Sequence, residues 1–182
     1  LILNSVPGNS FVNTITIQGE SGDSSLVRLE HANTATHIVF SLNDIKGLTL
    51  QDMTFKNYSG GNEQTAFLIE SCDTLHIANC RLESNANINS SYSASNKLMI
   101  NESRGITIEN NDFSYGVYTN ISAKSLSKYS TGLFRGNINV KGHDGFRFDS
   151  QINGALGGKF VIKDNHFYKC YYPFLILSLI HI

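Results

Sequence analysis

Four side chains with hydrogen-bonding chemistry, Arg81, Asp112, Asn139 and His166, recur at one position of a short repeating motif. Lys141 and Tyr168 stand two positions further along the same frame. Residues two apart in a strand share a face, so both sets are expected to point outward together. A guanidinium, a carboxylate, an amide and an imidazole in a row can hydrogen-bond sugar hydroxyls, and a tyrosine ring can stack on a sugar face. The chemistry expected of this strip is glycan binding. The competing reading is a ladder of solvated ion pairs, Arg81 with Asp112 and Lys56 with Glu83, each worth ~0–1 kcal/mol.

The frame that positions these residues is a set of five segments aligned without a gap: Leu48–Phe55, Leu75–Leu82, Ile106–Phe113, Leu133–Val140 and Phe160–Phe167. Their starts lie 27, 31, 27 and 27 residues apart. The first and eighth positions are apolar in all five, the third in four, and the fifth is Asn or Asp throughout. Alternation at positions one and three is the period of a strand. The fifth position breaks it, because short polar side chains tolerate tight bends and bond the local backbone. That column, Asp52, Asn79, Asn110, Asn137 and Asp164, is expected to form a side-chain ladder from turn to turn. A second strand precedes the first three motifs, with apolar pairs Phe40/Leu42, Phe67/Ile69 and Leu98/Ile100. Val117 to Ile121 and Phe146 to Phe148 are the expected equivalents for the last two.

A repeat of this length with strand-like alternation is a solenoid. Leucine-rich repeats are the rival, since they share the period and a fixed Asn. The aromatic residue three positions after the bend and the second strand before the motif favour a parallel β-helix. An earlier, less regular coil is expected from Ile15, Ile17, Leu26, Val27 and Leu29, giving six or seven coils.

Bulk composition agrees. The chain has 182 residues, 41% of them hydrophobic and 16% charged, with a formal net charge of −1. That balance carries no electrostatic footprint for nucleic acid or an anionic membrane, and no apolar run is long enough to span a bilayer. Asn and Ser supply 41 residues, as expected where many tight turns use them. Cys72, Cys80 and Cys170 have no metal-ligand spacing, and the expectation for Cys80 is a small buried residue.

The segments Gly105–Phe113 and Phe160–Phe167 resemble the parallel β-helix repeat of the pectate-lyase-like superfamily, a resemblance that covers about residues 13–172. The stretch 13–25 followed by Leu48–Phe55 is similar to openings of β-helix regions in secreted or surface proteins of Bacteroidetes-type bacteria. The resemblance implies an all-β, right-handed, single-stranded parallel β-helix and an extracellular or cell-surface location. It implies no single activity, because the superfamily spans lyases, hydrolases, epimerases, tailspikes and adhesins. A lyase of this fold would pair a Ca²⁺ site with a basic residue, and the acids here lack calcium-loop spacing. Gly142-His143-Asp144-Gly145 faintly echoes one hydrolase motif, without its companions. Asn57, Asn89, Asn101 and Asn120 match the glycosylation acceptor pattern.

The expected reading is a scaffold or adhesin-like wall that contacts a polysaccharide or surface glycan, with an incomplete polysaccharide lyase or glycoside hydrolase as the alternative. No cofactor is identified. Residues 1–176 are expected to form one domain, cut at both ends. Residues 177–182 match a translated sequencing adapter, as in a metagenomic fragment. The polar excursions at 84–96 and 114–131 are where a cleft would be built.

Overall fold

The computed structural model describes residues 2–4, 10, 14–31, 38–57, 65–84, 96–113, 119–124, 131–140, 144–149 and 159–177. The strands in chain order are β1 (Ile2–Leu3), β2 (Ile15–Gln18), β3 (Arg28–His31), β4 (Ile38–Asn43), β5 (Lys46–Gln51) and β6 (Thr54–Asn57). Next come β7 (Thr65–Glu70), β8 (Asp73–Ala78), β9 (Arg81–Ser84), β10 (Asn96–Asn101), β11 (Arg104–Glu109) and β12 (Asp112–Phe113). The last are β13 (Thr119–Lys124), β14 (Thr131–Arg135), β15 (Ile138–Val140), β16 (Asp144–Asp149), β17 (Lys159–Lys163), β18 (His166–Tyr168) and β19 (Tyr172–Leu177). Among the described residues no helix is long and apolar enough to cross a membrane.

Every third strand pairs in parallel, which builds three sheets. Sheet A runs β1-β4-β7-β10-β13-β16-β19, sheet B β2-β5-β8-β11-β14-β17 and sheet C β3-β6-β9-β12-β15-β18. The chain is therefore an all-β parallel solenoid. About three turns, β4 to β12, repeat regularly, in place of the six or seven expected. Outside them the strands still join the three sheets, but the motif shifts by one residue in the fourth segment.

Apolar residues of successive turns stack into columns inside. Phe40 lies over Phe67 with ring centroids 4.7 Å apart, and Phe55 meets both, at 5.2 and 5.0 Å. Leu48, Leu75 and Ile106 form one column of sheet B, and Leu50, Ile77, Ile108 and Phe134 the next, all buried. No turn could close such a core alone, so each is stabilised by its neighbours.

The sheets meet at corners that share one device. At the B–C corner Asp52, Asn79, Asn110, Gly136 and Asp164 all have left-handed φ between 53° and 66°. Asp44, Ser71 and Glu102 do the same at the A–B corner, with φ between 47° and 53°. Asn and Asp reach this region at low cost and Gly at none. The corner amides stay in the ladder, as where Asp52 N–H donates to Ala78 O and Asn79 N–H to Glu109 O. The residue after each bend turns inward: Ile45, Cys72 and Ser103 at one corner, Met53, Cys80, Asn111 and Asn137 at the other.

These corners correct the repeat. Ile106 pairs with Gly132 and Gly132 with Phe160, so the fourth segment begins at Gly132, not Leu133. Gly136 takes the bend, and a Cβ there would lie 2.3 Å from Asn110 Oδ1. Asn137 accordingly moves to position six, inside. The ladder runs through Asn111, Asn137 and Asn165, not through the expected fifth-position column.

Candidate functional site

The expected strip lies on sheet C, and the structure brings only part of it together. Arg28, Thr54, Arg81, Asp112, Ile138 and His166 share one register column. Arg81 Nε donates to Asp112 Oδ2 at 3.3 Å, and Lys56 Nζ meets Glu83 Oε2 at 3.3 Å, both as expected. Glu83 also receives Arg81 at 3.4 Å and Arg28 at 3.8 Å. Asn139 is not in the strip. The one-residue shift puts it opposite Phe113 and Phe167, fully buried, and Ile138 takes its outward place at 46% exposure. His166 and Tyr168 are exposed, and Lys169 Nζ lies 5.1 Å from the Tyr168 ring centroid. Lys141 and His143 lie outside the described residues, as do most of the two polar excursions. Asn120 is fully buried, which removes it as a glycosylation acceptor in the folded chain.

A more developed site lies on the outer face of sheet B. Thr16, Thr49, His76, Thr107, Leu133 and Val161 follow one another in register at the second motif position. Gln51, Ala78, Glu109, Arg135 and Lys163 do so at the fourth. Ala78 is small, so His76 reaches past it diagonally to the next turn. His76 Nε2 meets Glu109 Oε1 at 2.8 Å, while Arg135 Nη2 pairs with Glu109 Oε2 from the turn beyond. Burial pushes the Glu109 carboxyl up, but the bonds from Arg135 and His76 outweigh this and hold it below the usual carboxylate range. Glu109 is thus an ionised acceptor with both oxygens engaged.

These residues floor a groove of about 340 Å³ that extends from Thr14 and Gly47 across Thr74 and Gly105 to Leu133 and Arg135. Its rim repeats a left-handed backbone position, filled by Gly47 (φ 69°), Thr74 (φ 57°) and Gly105 (φ 63°). A β-branched residue in this region is an outlier that surrounding structure must hold. Beside it Asp73 pairs with Arg104 and accepts from Thr74 Oγ1 at 3.2 Å. The groove therefore offers threonine hydroxyls, an imidazole, a carboxylate and one guanidinium group on a rigid sheet.

The motif reading missed this face because it followed position seven outward and took position three as core. Arg135, placed at position three by the gap-free alignment, then looked like a core exception. Applying the same alternation to positions two and four would have found Thr49, His76, Thr107 and Glu109. Among the described residues no group of three or more His, Cys, Asp or Glu is placed to hold a metal ion. None of the three cysteines is in a disulfide, and Cys72 and Cys80 are buried.

No protein-family profile, curated protein or solved structure matches the chain.

Proposed function

We propose that this chain is the rigid wall of an extracellular bacterial β-helix that contacts a glycan through the outer face of sheet B without cleaving it. The coil is right-handed, following the crossover preference of parallel strands. The observation that carries the reading is the groove over Thr49, His76, Thr107, Glu109 and Arg135. Sugars are recognised by many hydrogen bonds of mixed polarity, and hydroxyl, imidazole, carboxylate and guanidinium groups supply them. Parallel strands hold these groups about 4.8 Å apart, turn after turn, so the face suits a linear polymer. Arg81, Asp112, His166 and Tyr168 on sheet C offer a second, flatter contact.

A non-catalytic role is supported by the state of Glu109. General acids of glycoside hydrolysis have raised pKa values and a second carboxylate as partner. Glu109 is held low and bound at both oxygens. The test is binding and turnover on one panel of neutral and uronate oligosaccharides. Binding weakened at least tenfold by Arg135→Ala, with no product formed, is the expected result. Absence of binding would leave a structural spacer, and unsaturated products lost on Arg81→Ala would make the chain a lyase.

A further inference from the structure

Where sheet C hands over to sheet A, polar side chains are sealed into the solenoid without the pairing seen in the asparagine ladder. Lys97 on β10 is fully buried, and its Nζ donates to Phe113 O at the end of β12 in the same turn. The next turn sets Asn139 opposite Phe113. It also sets Asn120 between Thr119 and Ile121, the partners of the Asn96 and Leu98 that flank Lys97. Asn120 and Asn139 are therefore the next-turn counterparts of Lys97 and Phe113. Both are 0% exposed, and among the described residues nothing hydrogen-bonds Nδ2 or Oδ1 of either. Buried amides in folded proteins have partners, in the protein or in ordered water.

We propose that Lys97, Asn120 and Asn139 line an internal site that binds a small cluster of ordered water between two turns. The mixture of donors and acceptors selects the ligand. Two Nδ2 groups and the remaining Nζ hydrogens ask for acceptors, while two Oδ1 atoms ask for donors. A halide or other small anion would serve the first set and leave both Oδ1 atoms bare. A cation would serve the second and face an amine. Water serves both, and buried waters typically make about three such bonds. The negative charges of Asp112 and Glu83 act on Lys97 and further oppose an anion. Burial also pushes the Lys97 amine down to about 7, which weakens the pull of its charge on an anion.

The test uses the full chain in two measurements. In solution, the Asn120 and Asn139 side-chain amide protons should show cross-relaxation with water of long residence, and Asn139→Leu should remove or shorten it at Asn120. In crystals soaked in bromide, water should lie within hydrogen-bonding distance of both amides with no anomalous signal there. A bromide peak at the site overturns the proposal. So does a structure in which both amides turn onto protein partners with no water between them, a result that needs no variant to fold.

Discussion

The side-chain amide of Asn137 donates to Oδ1 of Asn165 at 2.8 Å, one turn further along the solenoid. Its second hydrogen goes to Ile108 O in the preceding turn at 2.9 Å, and its own Oδ1 accepts from Asn111 Nδ2 at 3.1 Å and Asn111 N–H at 3.0 Å. One side chain thus ties three turns. Asn137→Leu would leave several of these groups buried without partners, at roughly 1–3 kcal/mol each. The urea midpoint should fall clearly while the β signal in circular dichroism is kept. An unchanged midpoint would mean that the ladder contributes nothing in solution.

The ladder also shows how far the sequence could be read. Strand alternation, the parallel solenoid and the bend at position five follow from the motif alone. The ladder's position does not, because two motifs carry a polar pair at the corner, Asn110-Asn111 and Asp164-Asn165, and the motif between them carries Gly136-Asn137. A gap-free alignment that weighs apolar matches puts Asn137 with Asn110. Backbone geometry decides otherwise, since Gly136 takes the left-handed position at φ 66° without a Cβ penalty. That one-residue shift turns every later side chain of the motif to the other face. It is why Asn139 lies inside and Ile138 outside.

Cys80 occupies the ladder column one turn before Asn111. Its Sγ lies 3.7 Å from Leu50 O, where the asparagines place Nδ2 against the equivalent carbonyls, and its N–H donates to Asn111 Oδ1 at 2.8 Å. Cys80→Asn should extend the ladder by one rung and raise stability by about 0.5–1.5 kcal/mol. The comparison is the thermal midpoint against wild type. A lower midpoint would show that the second regular turn is too tightly packed for the amide. In the wild-type chain Cys80 should also resist alkylation at pH 8, since burial pushes its thiol up to about 12.

Thr74 holds a left-handed backbone between two turns that use glycine for it. Such a conformation costs of order 1–3 kcal/mol in a β-branched residue, and a glycine there loses about 0.5–1 kcal/mol of chain entropy. Thr74→Gly should therefore stabilise the fold by on the order of 1 kcal/mol. If the groove holds a glycan, the same variant should bind it more weakly, because a lining hydroxyl is lost. Melting and binding measured on one preparation separate the two. Equal losses in both would assign Thr74 to structure alone.

The candidate groove was legible only by its residue types. His76, Glu109 and Arg135 come from three successive turns, and no local motif contains them together. They meet because the register sets Ala78 between two longer side chains, which a sequence shows only after the turns are aligned. The ion pairs of sheet C were legible for the same reason. Arg81 and Asp112 belong to the turns whose alignment was right.

Lys97 makes stability depend on pH in a direction opposite to that of a paired lysine. Burial lowers its folded pKa from 10.5 to about 7, with Asp112, Cys170 and Glu83 opposing the shift. Between those values the unfolded chain binds more protons than the folded one, so stability rises with pH by up to about 1.4 kcal/mol per unit. The contribution is complete above pH ~10.5 and is lost as pH falls to ~7. Lys97→Met removes the titration and the desolvated amine together. Urea midpoints at pH 6.5, 8 and 9 should rise in wild type relative to the variant, whose own midpoint should be the higher at pH 6.5. The tyrosine and cysteine titrations common to both chains cancel in that difference. Parallel curves would mean that Lys97 keeps an ordinary pKa in the folded chain, with its amine reaching water.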